Sequence, residues 1–156
     1  MCVFGVLTAC LTCSCTIAPA GYQQIGHHIV VAGERDNASV VMIKRYAESM
    51  FYSSTNDTVS PSSITQLDKR FVGLNGVSSV EVKPGEHMVF LAFRDSNWNK
   101  SWAVVSFLAG AGQVWVAEAS GGMGYVRPIS GASYEANTRC ILYQGRRLKI
   151  GSESEK

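Results

Sequence analysis

The feature that most constrains this chain is residues 80–93, Val-Glu-Val-Lys-Pro-Gly-Glu-His-Met-Val-Phe-Leu-Ala-Phe. It reads as strand, turn, strand. Pro84 presets φ for the second turn position and Gly85 accepts a positive φ at the third, so the turn falls at 83–86. Side chains alternate along an extended chain. His87, Val89, Leu91 and Phe93 therefore share one face, and Met88, Phe90 and Ala92 share the other. Both faces are apolar, which predicts a central strand covered on both sides.

The rest of the chain repeats this grammar. A short first strand is expected at 29–32. Residues 39–46, Ser-Val-Val-Met-Ile-Lys-Arg-Tyr, read as a β-branched strand. The same stretch also supports a helix, with Asp36 or Asn37 as cap and Ile43, Tyr46, Ala47 and Met50 at helical spacing. Residues 49–63, rich in Ser, Thr, Asn and Asp, read as an exposed loop. Short arms at 62–67 and 71–74 flank an Asp68-Lys69-Arg70 turn, and Asn75-Gly76 is a tight-turn pair. Apolar strands follow at 102–109 and 113–117, with a flexible glycine-rich connection at 120–124. Pro128 restricts 125–129 to an edge. A final pair, 139–144 and 146–150, turns at Gly145, and the polar tail 151–156 frays. Short strands separated by turn residues predict an all-β fold, a small β-sandwich of mostly antiparallel strands. Phe90, Leu91, Val104, Val105, Phe107, Val116, Ile141 and Leu142 are its expected core. One domain is expected over 21–156, behind an export and tether region at 1–20.

Four of the five cysteines, Cys2, Cys10, Cys13 and Cys15, fall within the first fifteen residues among apolar and small side chains. Clustering of this kind is not a disulfide framework, and without histidine or a downstream ligand pair it is not a zinc site. Residues 1–12 carry no charge and are too short to span a bilayer as a helix, but they fit the apolar region of an export signal. Ala18-Pro19-Ala20 has the small-x-small form of a signal-peptidase site. Leu7-Thr8-Ala9-Cys10 and Thr12-Cys13-Ser14-Cys15 each resemble a bacterial lipobox. Cys10 fits residue by residue but leaves a short apolar run; Cys15 allows a normal one and is the expected lipidation site. No Lys or Arg precedes the run, a departure that points to translation starting upstream of Met1.

With this N-terminus, the strand at 38–43, the Pro-Gly-x-His turn with its apolar strand, the strand at 102–109 and Ala111-Gly112-Gln113-Val114-Trp115-Val116, the chain resembles small bacterial envelope lipoproteins of DUF2846-like or PEGA-like type. The resemblance spans about residues 38–118 and rests on turn-and-strand motifs. It implies a β-sandwich on the envelope and no established activity. The chain departs from them in the long loop before Ile64 and in its C-terminal strand pair.

The net charge of +2 argues against nucleic acid as a partner. The basic run 144–149 reads as a solvated edge strand whose charges discourage pairing. No catalytic constellation emerges. Glu86 and His87 are adjacent on a strand and so diverge. His27-His28 with Glu34 or Asp36 lacks a third metal ligand, so neither a metal nor a cofactor is expected. Cys140 reads as a small buried hydrophobe. No Gly-x-Ser-x-Gly elbow is present, and Gly121-Gly122-Met123-Gly124 lacks the Lys and Ser or Thr of a phosphate loop. The sequons at Asn37, Asn56 and Asn99 matter only in a eukaryotic secretory pathway. The remaining binding residues are Trp98 with Asn97, Asn99 and Lys100. A loop tryptophan among amides either stacks on a sugar or anchors a partner, or it folds back over the sheet end. The resulting expectation is a non-enzymatic protein, lipid-anchored in the bacterial envelope at the outer membrane and facing the periplasm, with an envelope protein or a glycan as partner. The alternatives are a soluble exported glycan- or peptidoglycan-binding protein that uses Trp98 and, behind it, a small hydrolase.

Overall fold

The computed structural model describes residues 18–151. In chain order its elements are β1 (Tyr22–Ile25), β2 (His28–Val31), β3 (Ser39–Ile43), α1 (Lys44–Met50), β4 (Ser63–Leu67), β5 (Arg70–Phe71), β6 (Ser79–Val82), β7 (Gly85–Arg94), β8 (Lys100–Ala109), β9 (Val114–Ser120), β10 (Met123–Pro128), β11 (Ala132–Glu135), β12 (Cys140–Tyr143) and β13 (Arg146–Lys149). They form a six-stranded sheet in the order β1-β2-β6-β3-β9-β10, a four-stranded sheet β5-β4-β7-β8 and a three-stranded sheet β11-β12-β13. Two neighbouring pairs, β2 with β6 and β3 with β9, run parallel; the other pairs are antiparallel. The fold is all-β and mostly antiparallel, as the strand grammar predicts.

The six-stranded sheet is the middle layer. Ile29, Val41, Val80, Trp115 and Ala117 on one face pack against Ile64, Leu67, Val89 and Leu91 of the four-stranded sheet. Val40, Met42, Val114 and Val116 on its other face pack against Tyr134, Ile141 and Ile150, with Ala47 of α1 closing the side. The doubly covered strands are therefore β2, β3, β6 and most of β9, whose residues are buried almost without interruption. Continuous apolar runs suit this layer because neither face meets water.

The expected central, doubly covered strand is corrected by this arrangement. β7 lies inside the four-stranded sheet, but only one of its faces is covered: Val89, Leu91 and Phe93 are buried, while Met88, Phe90 and Ala92 are half-exposed. The turn at 83–86 is also not a hairpin. Gly85 takes the positive φ, +137°, yet β6 and β7 belong to different sheets, so the turn carries the chain across the sandwich. Of the expected core, Leu91, Val116 and Ile141 are buried; Phe90, Val105, Phe107 and Leu142 are half-buried; Val104 is exposed. Val104 fails because it pairs with Phe90 on the outer face of the sheet.

The two readings of residues 39–50 divide the segment between them. Ser39 to Ile43 extend β3 between β6 and β9, and the chain then turns into α1. Ile43 offers no side-chain cap, and the first-turn N–H of Arg45 donates instead to Ser60 Oγ at 2.7 Å. The loop that follows is tied down rather than free. Buried Lys44 donates through Nζ to Thr58 O at 2.8 Å and Thr58 Oγ1 at 2.7 Å, and Val59 bridges to Ala119. The glycine-rich connection is shorter than expected: Met123 and Gly124 already belong to β10, which is an edge strand as Pro128 requires.

Candidate functional site

Two surface features of the four-stranded sheet stand out. The first is its outer face. Along β8 the even-numbered residues point outward, and Trp102, Val104 and Leu108 are 55%, 53% and 69% exposed. Register places Ala92 opposite Trp102, Phe90 opposite Val104 and Met88 opposite Ser106, while Phe71 of β5 stands 68% exposed at the far edge. Gln66 stands between Phe71 and Phe90, and Glu86 stands opposite Leu108, so the apolar stretch proper is Met88, Phe90, Ala92, Trp102 and Val104. A groove of about 380 Å³ runs along one end of it, lined by Phe71, Leu74, Ala92 and Trp102.

The second feature is the β7–β8 hairpin tip. Asp95 organises it: its Oδ1 accepts from the N–H groups of Asn97 at 2.8 Å and Asn99 at 2.9 Å, and its carbonyl accepts from Trp98 N at 3.0 Å. Arg94 donates through Nη1 to Trp98 O at 2.8 Å. These bonds hold Trp98 at φ +63°, a backbone region a bulky aromatic residue rarely adopts. Its ring is 77% exposed and lines a hollow of about 570 Å³. Trp98 is thus not folded back over the sheet. Asn97 contributes its backbone to the turn, Asn99 adds a side-chain bond to Asp95 Oδ2 at 3.4 Å, and Lys100 opens β8 opposite Arg94. Neither Asn97, Asn99 nor Lys100 lines the hollow, whose polar lining comes from Ser60, Ser62, Arg94, Asp95, Ser96 and Ser120. The sequence singled out the tryptophan but not these serines, which arrive from three separate segments.

The remaining candidates resolve into structural roles. His87 does not meet Glu86; its Nδ1 lies 2.8 Å from Asp68 Oδ2 and its Nε2 lies 2.6 Å from Lys83 O, so both ring nitrogens are engaged. Asp68 Oδ1 accepts from Met88 N at 2.9 Å, which locks the β4–β5 turn to β7. Ser106 lines the neighbouring hollow of about 510 Å³, but it sits opposite Met88 on the other face of the sheet from His87 and forms no Ser–His pair. His28 is buried with Nδ1 2.8 Å from Ser79 Oγ, whereas His27 is exposed, so the pair diverges. Cys140 is buried, its Sγ 3.5 Å from Thr138 O. Among the described residues no group of three or more His, Cys, Asp or Glu side chains could hold a metal. Cys10 and Cys15 lie outside the described residues. No helix among the described residues is long and apolar enough to cross a membrane.

Glu81, unremarked in the sequence, is the most heavily bonded buried carboxylate. It accepts from Val31 N at 2.9 Å, from Arg35 Nε at 3.1 Å and Arg35 Nη2, and from the Tyr134 hydroxyl. Burial, and then the Glu81 charge and hydrogen bond, push the Tyr134 phenol far above its ordinary value of 10.0. Burial likewise raises Tyr22, with Asp68 adding to the shift. The Glu81 cluster couples the middle sheet to β11, and every donor it meets is internal. It is a structural device.

No family model, no curated protein and no solved structure matches this chain.

Proposed function

We propose that this protein is a non-enzymatic interaction module, lipid-anchored in the bacterial cell envelope at the outer membrane and facing the periplasm, that engages an envelope protein through the outer face of its four-stranded sheet. The observation that carries the reading is the apolar stretch of Phe90, Ala92, Trp102 and Val104 on that face, with Trp102 and Val104 more than half exposed. The apolar stretch is flanked by Glu86 opposite Leu108 at one end and by Arg94 and Lys100 at the other, and an apolar, aromatic centre with a charged rim resembles a protein interface. His87 has both ring nitrogens engaged, by Asp68 and by the Lys83 carbonyl, which fits a structural role for that histidine. The anchor is supported by the cysteine-rich, uncharged N-terminal run and by the lipobox resemblance at Cys15, with Cys10 as alternative. One acyl chain binds a membrane reversibly, and a triacylated cysteine holds firmly.

Two experiments test the reading. Mass spectrometry of the N-terminal peptide from detergent-extracted membranes should find a diacylglyceryl adduct on Cys15. An adduct on Cys10 moves the cut, and a free N-terminus at Gly21 in the soluble fraction rejects the anchor. Photo-crosslinking in cells from position 104 should trap one discrete envelope protein that position 145, on the β12–β13 turn, does not. Equal products from both positions reject the interface.

A further inference from the structure

The hollow beside Trp98 is built differently from the apolar face and points to a different ligand. Three segments wall it: the β7–β8 tip from Phe93 to Trp98, the β9–β10 turn from Ala119 to Gly122, and the loop residues Val59, Ser60 and Ser62. These segments meet because Val59 pairs with Ala119 in both directions, N to O at 2.6 Å and 2.9 Å, and because Ser62 N donates to Ala92 O at 2.6 Å. The rim is therefore assembled from fixed backbone on every side.

We infer that this hollow is a saccharide-binding site that takes a short chain of neutral or N-acetylated hexoses, with Trp98 as the stacking platform. Five observations converge. An exposed indole offers an apolar plane to the C–H face of a pyranose, and its position is set in advance by the Asp95-centred turn. A tryptophan held in the left-handed region is strained, and such strain persists where surrounding bonds over-determine it, commonly at binding sites. The polar lining is mostly hydroxyl, from Ser60, Ser62, Ser96 and Ser120, and its charges balance, one Arg94 against one Asp95. That chemistry suits the many weak donors and acceptors of a sugar better than an anion or a cation. Gly121 and Gly122, at φ +56° and +79°, have open space where a Cβ would stand, so the ligand can approach the backbone of the β9–β10 turn. A volume of about 570 Å³ lies within the usual range for small-molecule sites.

The inference is independent of the partner face, and its test keeps the two apart. The full chain is held in a polyoxyethylene detergent, which carries no sugar, and titrated by calorimetry with chitotriose, cellotriose and maltotriose. At least one should bind saturably, with a change in tryptophan emission. Trp98→Gly suits the positive φ and should keep the melting temperature while weakening binding by about tenfold or more. Trp98→Tyr should restore most of it. Crosslinking from position 104 should persist in Trp98→Gly, so loss of sugar binding and loss of the protein partner are read separately. Absence of saturable binding to all three sugars up to about 10 mM, a range in which even millimolar affinity registers, overturns the site. So does an affinity unchanged in a folded Trp98→Gly variant.

Discussion

Glu81 sits almost fully buried in the middle sheet, yet its charge is matched by Arg35, Val31 N and the Tyr134 hydroxyl. Removing one partner of such a pair leaves the other charge buried and unpaired, which costs far more than the pair contributes. Glu81→Ala should therefore lower stability by about 3–5 kcal/mol in urea unfolding. Tyr134 carries a pH signature of the same cluster. Its native phenol keeps its proton where the unfolded tyrosine, near its ordinary value of 10.0, loses it. The native state then binds more protons than the unfolded state, so stability falls as pH rises. The contribution is intact below about pH 10 and declines above it. Urea midpoints measured from neutral pH into that range should drop for the wild type and drop less steeply for Tyr134→Phe. Equal slopes would show that the phenol is not buried against Glu81.

At the scale of elements, the contact between β8 and β10 depends on the absence of one side chain. A Cβ on Gly124 would stand 2.8 Å from Ala103 Cβ, 3.0 Å from Val105 Cγ2 and 3.2 Å from Leu91 Cδ1. Those neighbours belong to the inner face of the opposite sheet, and the nearest, Ala103 Cβ, has no rotamer with which to give way. Gly124→Val should wedge β10 away and cost about 1–3 kcal/mol, the usual range for overpacking, read from the same urea midpoints. A variant as stable as wild type would mean that the two sheets are not in contact there. The β8 strand itself is ten residues long, stands at the edge of its sheet and carries one charge, Lys100. An edge strand so lightly protected is a template for further pairing.

Across the whole molecule, the two faces of the four-stranded sheet should respond in opposite ways to substitution. Leu91→Ala and Ile64→Ala remove fully buried side chains of the inner face and should each cost about 2–5 kcal/mol. Val104→Ser and Leu108→Ser lie on the outer face and should each stay within about 0.5 kcal/mol of wild type. Thermal or urea unfolding of the four variants decides the matter; a large loss in Val104→Ser would put that face inside a core. Much of this architecture was legible in advance. Most strand positions, though not β1 or β11, the all-β class, the turn at Gly85 and the edge status of β10 follow from β-branched runs and from the backbone limits of Pro and Gly, which are local properties. Trp98 was legible as a candidate for binding, since a tryptophan among polar loop residues is conspicuous without neighbours. The outer face was not legible. Phe90 and Val104 look like core because both sides of β7 and β8 are apolar, and apolarity does not say which side another sheet will cover. The destinations of β6 and β7, the pairing of Glu81 with Arg35 and Tyr134, and the gathering of four serines around Trp98 all join residues far apart in the chain. Local chemistry determines where a strand can form; only the packing of one sheet on another decides which of its faces meets water, and so where a partner can bind.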